Sequence, residues 1–265
     1  MKHPVLFNPA AFRRTVVSVA LLAAYSSSWA LPEFTFTPSA VGLTGATVTA
    51  DNIIVSDFAT ATFSSPTNFS EQGYLSITNF QLGGSNVTAG GLNSTYSLYF
   101  QFTGTGHITT ANTNPLSDVT AGVFDTLTYS LIGATGNSTF NVTTGSNPTV
   151  SSSNPQVLAT GSLIDGVFST VPTSGKFIPS AAATVSFSVA AGKEGFFSPQ
   201  PFYNVALTAF TNALPTVTTF QNGFTINNGG GNLNFAAPIP EPETYALMLA
   251  GLGAMGFVAK RRKAA

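Results

Sequence analysis

The stretch "TYSLYFQFTG", residues 95–104, decides the fold class. Tyr96, Leu98, Phe100 and Phe102 recur at every second position, with Ser97, Gln101 and Thr103 between them. Successive side chains of a strand point to opposite faces, so this pattern predicts a strand with one buried face and one wet face. The same period recurs in "FTFT" (34–37), "YLSITNFQL" (74–82), "TLTYSLIG" (126–133), "ATVSFSVAAG" (183–192) and "NVALTAFT" (204–211). Clusters of turn-forming residues lie between them: "LGGSN" (82–86), "TTGSNP" (143–148), "SSSNP" (151–155) and "NNGGGN" (227–232). No capped helical period runs beyond ten residues in this part of the chain, and no fixed-period repeat occurs. The expectation is an all-β body, an antiparallel β-sandwich or jelly-roll-like arrangement.

The wet faces carry Ser, Thr and Asn rather than Lys and Glu. Hydroxyl-bearing strands have good β propensity, yet they hold little charge to repel a neighbouring molecule. Residues 95–104 read most simply as an interior strand; at a sheet edge, unguarded by Lys, Glu or Pro, they would be a self-association site. The formal charge of −1 hides an asymmetry, because seven of the nine basic residues lie near the two ends. From Leu31 to Pro240 only Lys176 and Lys193 face eight carboxylates, a net charge of −6 with no arginine. Nucleic-acid binding relies on Lys and Arg neutralising phosphates, so that partner class is excluded. Cysteine is absent, which removes thiolate metal sites, thiol nucleophiles and disulfides, and leaves the body to stand on its core.

Both ends read as something other than the body. Lys2, Arg13 and Arg14 precede an apolar run of 11 residues, Thr15 to Tyr25, and Ser28 and Ala30 then form a small-x-small pair. The run is too short to span a bilayer, so residues 1–30 read as a secretory signal cleaved between Ala30 and Leu31. At the other end, "PIPEPETYALMLAGLGAMGFVAKRRKAA" (238–265) places Pro240, Glu241 and Pro242 before an uncharged stretch, 244–259, and the basic cluster Lys260, Arg261, Arg262, Lys263. As a helix that stretch covers roughly 24 Å, short of a hydrocarbon core about 30 Å thick. The basic cluster would hold its end on the cytoplasmic side, and the prolines would keep the preceding segment extended. The expected organisation is a signal (1–30), an all-β extracellular body (31–237) and a tail (238–265) with one short transmembrane helix.

Catalytic chemistry finds little footing. His107, in "FTGTGHITT", is the one histidine of the body, with Asp118 or Asp125 available to orient it and no G-x-S-x-G elbow to present a serine. Asp51 and Asp57 stand six apart in "ADNIIVSDF" without a calcium-loop pattern, leaving only a site assembled from distant loops. "GLGAMG" (251–256) fits G-x-G-x-x-G but follows an apolar stretch instead of a strand, so the dinucleotide reading fails. The only tryptophan, Trp29, falls in the signal, and Tyr74, Tyr96, Tyr99, Tyr129 and Tyr203 remain as a possible sugar platform. No enzyme activity, metal or cofactor is expected. A carbohydrate-binding module with a defined sugar site is the first alternative, and a secreted hydrolase built on His107 the second.

The tripartite tail resembles the PEP-CTERM sorting signal of Gram-negative bacteria. That resemblance implies recognition by an exosortase, a membrane-embedded cysteine transpeptidase, with processing near Pro240, Glu241 and Pro242 after transient anchoring in the inner membrane. It implies delivery to the cell surface or extracellular matrix. The stretches "LPEFTFTPSAVG", "VTADNIIVSDFATATF", "FYNVALTAFTNA" and "GFTINNGGGNLNFAAPIPEP" are similar to the flocculation-associated members of that group. What this similarity implies is a role in cell aggregation, floc or biofilm formation, through exopolysaccharide or self-association.

Overall fold

Alternation of apolar and hydroxyl residues produces strands throughout the computed structural model, which describes residues 31–110, 114–173, 176–211 and 216–236. In chain order they are β1 (Phe34–Phe36), β2 (Val48–Ala50), β3 (Asn52–Phe63), β4 (Asn68–Leu82), β5 (Ser85–Val87), β6 (Tyr96–Ile108) and β7 (Thr120–Asn141). There follow β8 (Thr149–Thr173), β9 (Lys176–Ser186), β10 (Ser188–Val189), β11 (Phe197–Ser198), β12 (Val205–Thr211), β13 (Val217–Phe220) and β14 (Gly223–Phe235). Two short 3-10 turns, Pro38–Val41 and Glu194–Phe196, lie between the strands.

The antiparallel all-β expectation holds, but the two packed sheets of a sandwich do not form. Each of the long strands β3, β4, β6, β7, β8, β9, β12 and β14 pairs antiparallel with the next of these in sequence. The last then pairs with the first, Leu233 opposite Ile53 and Phe224 opposite Ala61. One sheet therefore closes on itself as an eight-stranded up-and-down barrel. Closure satisfies the backbone groups that an open sheet leaves at its two edges. The stretch 95–104 forms most of β6, between β4 and β7, so it is an interior strand and offers no edge for self-pairing.

Parity decides which side chains face inward. On β3, Ile53, Val55, Asp57, Ala59, Ala61 and Phe63 alternate with Ile54, Ser56, Phe58 and Thr62, and the first set is the buried one. Cross-strand register carries this parity round the barrel: Leu75 faces Asp57 across to β4, Phe100 faces Leu75, and Leu131 faces Phe100. The interior is apolar and the outer wall mostly hydroxyl, the reverse of the apolar-out pattern of transmembrane barrels.

An aromatic cap closes one end. β1 pairs with β2 and β11 in a separate three-stranded sheet. Phe36 packs on Phe196 at 4.9 Å between ring centroids and edge-on to Phe197 at 5.4 Å, while Phe34 meets Phe235 edge-on at 5.0 Å. Edge-to-face contacts align the positive ring edge with the negative face, adding to the burial of large apolar rings. The opposite end holds a second cluster around Phe69, Phe124, Phe168 and Phe224.

Two expected turns are strand instead. "SSSNP" lies inside β8, and "NNGGGN" inside β14. In β14 Asn228 adopts a positive φ of 66°, and the register shifts between Asn227 and Gly229, so the Asn-Gly run makes a bulge and not a turn. "LGGSN" and "TTGSNP" do make turns, at Gly83–Gly84 and around Gly145.

Candidate functional site

The distal parts of β7 and β8 run on past the barrel and fold back over its outer wall. Phe140, near the end of β7, stacks on Phe58 of β3 at 4.9 Å and packs against Tyr74 and Tyr99 on the outer faces of β4 and β6. The turn that follows is pinned by polar contacts: Thr60 Oγ1 donates to the Ser146 carbonyl at 2.7 Å, and the Gly145 amide donates to Thr225 Oγ1 at 3.1 Å. This arm explains why outward-facing aromatics at 58, 74 and 99 are not a solvent-exposed patch.

Beside the tip of the arm the outer wall forms a polar groove of about 310 Å³. Strand register places its hydroxyls in rows across the wall. Thr62, Ser70, Thr105 and Thr126 form one row, and Thr60, Gln72, Thr103 and Thr128 the next. Thr103 and Thr128 hydroxyls share a 3.2 Å hydrogen bond, and Thr105 and Thr126 one of 2.7 Å. Asn147 closes the groove from the arm. A neutral array of hydroxyls and amides both donates and accepts, which is the chemistry that matches the hydroxyls of a sugar chain.

His107 sits at the far end of β6 on the same outer side, and its Nδ1 lies 2.7 Å from Asp125 Oδ1. A register shift between Thr105 and Gly106 against β7 turns Asp125 outward beside Thr126, which lets it reach the ring. Of the two carboxylates weighed as orienters the structure brings Asp125 to His107, whereas Asp118 lies in the preceding loop, within reach of the Asn114 amide. Both members of the pair are about half exposed, and no serine hydroxyl bonds the imidazole among the described residues.

The other expected residues scatter. Tyr96, Tyr99 and Tyr129 are buried, Tyr129 donating to the Ser186 carbonyl at 2.7 Å. Tyr74 packs under the arm and Tyr203 on Phe235 at the cap, so the five tyrosines form no common platform. Asp51 Oδ2 accepts from the Gly83 amide at 2.7 Å and serves the β4–β5 turn. No group of three or more potential metal ligands occurs among the described residues.

Two carboxyls that sequence reading did not pair share the barrel interior. Asp57 and Glu71 are on adjacent strands with inward parity, and both line the lumen. Burial raises Glu71 to about 7 and pushes Asp57 well above the usual carboxylate range, the nearby Glu71 charge adding to the second effect. Asp57 Oδ1 is buried without a hydrogen-bond partner. The signal was present in "NIIVSDFATATF": Asp57 holds the same parity as Ile53, Val55 and Ala59, an acid in an apolar register.

Pro240, Glu241, Pro242, the stretch 244–259, the cluster Lys260 to Lys263 and Ala30 of the cleavage pair lie outside the described residues. Leu31, the other member of that pair, is the first described residue and is exposed. Among the described residues no helix is long and apolar enough to cross a membrane. Residues 238–263 match the PEP-CTERM protein-sorting motif. The chain thus carries this motif, which marks an exported protein targeted to the cell surface through exosortase. No curated protein and no solved structure matches the chain.

Proposed function

We propose that this protein is a non-enzymatic component of the cell surface or extracellular matrix that promotes cell aggregation by holding exopolysaccharide in the hydroxyl groove. The groove between the arm and the Thr-rich wall carries this reading, together with the sorting motif at 238–263. Its outward-facing side chains are uncharged, Glu71 contributing to the wall from a strand position whose parity is inward, as suits a ligand recognised through hydroxyls instead of through ionic groups. Between the two partners first considered, polysaccharide is favoured over self-pairing by strand addition, because closure of the barrel engages both edges of β6. In this scheme the 244–259 helix holds the chain in the inner membrane until exosortase processes it near Pro240, Glu241 and Pro242.

The test compares a deletion strain complemented with the native gene or with a Thr103→Val, Thr126→Val double variant. The native gene should restore floc or biofilm formation. The double variant should be exported normally, keep its fold by circular dichroism, and leave aggregation and exopolysaccharide retention impaired. Full aggregation in the deletion strain would refute the role itself, and full rescue by the variant would refute the groove. Mass spectrometry of the extracellular form checks the sorting step: a new C-terminus near Glu241 is expected, and an intact basic cluster would exclude processing.

A further inference from the structure

We propose that the His107–Asp125 pair is the specificity-determining end of the hydroxyl groove: it takes adjacent hydroxyls of a neutral sugar unit and turns away a uronate. This deepens the polysaccharide reading of the groove and rests on it.

Strand register puts the pair in line with the groove. Thr105 and Thr126 line the groove and share a hydrogen bond. His107 takes the next outward position of β6, about 7 Å further along the strand, with Asn68 of β4 opposite it. On β7, Thr126 pairs with Thr105 and Phe124 with Gly106, which leaves Asp125 as the extra residue of a bulge. Phe124 is buried, whereas Asp125 and Thr126 are both exposed. A regular strand would send those two neighbours to opposite faces. The bulge thus sets a carboxylate directly beside a groove hydroxyl, and a ligand unit bonded to Thr126 carries its next substituent to Asp125.

The pair presents acceptors. A carboxylate only accepts, so the 2.7 Å contact makes Nδ1 of His107 the donor to Asp125 Oδ1. Nε2 of the neutral ring then keeps its lone pair, and Asp125 Oδ2 meets no donor among the described residues. Both side chains are about half exposed, so these acceptors are open to a ligand. Two acceptors on adjoining groups match the two O–H donors of neighbouring sugar hydroxyls, and a bond to an ionised acceptor is the stronger kind. A uronate brings acceptors and a like charge instead. Only two cations, Lys176 and Lys193, occur between Leu31 and Pro240, and the described wall of the groove holds no Lys or Arg to compensate one.

The test uses the exopolysaccharide of the producing strain in two matched forms. One has its uronates reduced to primary alcohols, and the other has its primary alcohols oxidised to uronates. Surface plasmon resonance measures the binding of each to the full chain at pH 8 and low ionic strength, where charge repulsion is least screened. The reduced form should bind, and the oxidised form should bind at least about tenfold more weakly, as expected for like charges brought together. Asp125→Asn should narrow that gap by admitting the oxidised form. Glu194→Gln, which removes a carboxylate at the capped end, should leave the gap as it is. His107→Leu should weaken the reduced form several-fold, with circular dichroism reporting an intact fold. Equal binding of the two forms, a full gap in Asp125→Asn, or an equal narrowing in Glu194→Gln would overturn the inference; the groove itself would still stand if the Thr103→Val, Thr126→Val variant lost binding. Binding of neither form to the native chain would overturn the groove reading and this inference together. If Asp125→Asn fails to fold, the His107→Leu result decides, since undiminished binding there removes the pair from the site.

Discussion

Glu71 shows how one side chain ties the core to pH. Its carboxyl projects into the bore between Ala61 and Gly104, and burial raises it to about 7. A carboxyl raised in the folded state binds its proton more tightly there than in the unfolded chain. Its stabilising contribution is therefore complete below the unfolded value of 4.5 and is lost as pH rises through about 7. Asp57, raised for the same reason, acts in the same direction. The protein should be more stable at pH 4.5 than at pH 8, by about 3 kcal/mol at most from Glu71. Glu71→Gln should reduce that slope, and Glu71→Gln with Asp57→Asn should flatten it. Calorimetric melts across this range check the claim, and an undiminished slope in the double variant would refute it.

The strands depend on where their glycines fall. Gly73 of β4 stands opposite Ala59 with inward parity. A Cβ there would sit 2.4 Å from the Phe58 carbonyl oxygen and 2.8 Å from Ala59 Cα, both fixed backbone atoms. Gly73→Ala should therefore force β3 and β4 apart, at about 1–3 kcal/mol of overpacking. Gly230 of β14 is a matched control, since a Cβ there meets nothing within 4 Å. Urea denaturation should show a lower midpoint for Gly73→Ala and a nearly native one for Gly230→Ala. Equal midpoints would mean that the close approach at Gly73 relaxes without cost.

At the scale of the molecule, the β14–β3 seam closes the barrel. It joins Ile53 to Leu233 across most of the chain, a pairing of high sequence separation with a large loop-closure cost. A chain truncated after Asn222 loses β14 and leaves both β3 and β12 with an unpaired edge. These edges carry Ser and Thr with little charge, so the truncated protein should self-associate where the full chain does not. Light scattering after size-exclusion chromatography distinguishes the two, and a monomeric truncated form would show that closure is not what keeps the sheet apart from its neighbours.

Period two in "TYSLYFQFTG" determined that β6 is a strand and which of its side chains face inward, because alternation is a local property of extended backbone. The sorting motif was equally legible, being a contiguous run at 238–263. The same local rules misjudged "SSSNP" and "NNGGGN". Their turn chemistry was overridden by ladder hydrogen bonds and a bulge that partner strands impose. Sandwich and barrel share one alternation, so the sequence could not separate them; the pairing of β14 with β3 did. Likewise the shared inward placement of Asp57 and Glu71, and the rows of hydroxyls beside the arm, depend on cross-strand register. Register is set by closure and by the turns together, and only the tertiary structure supplies it.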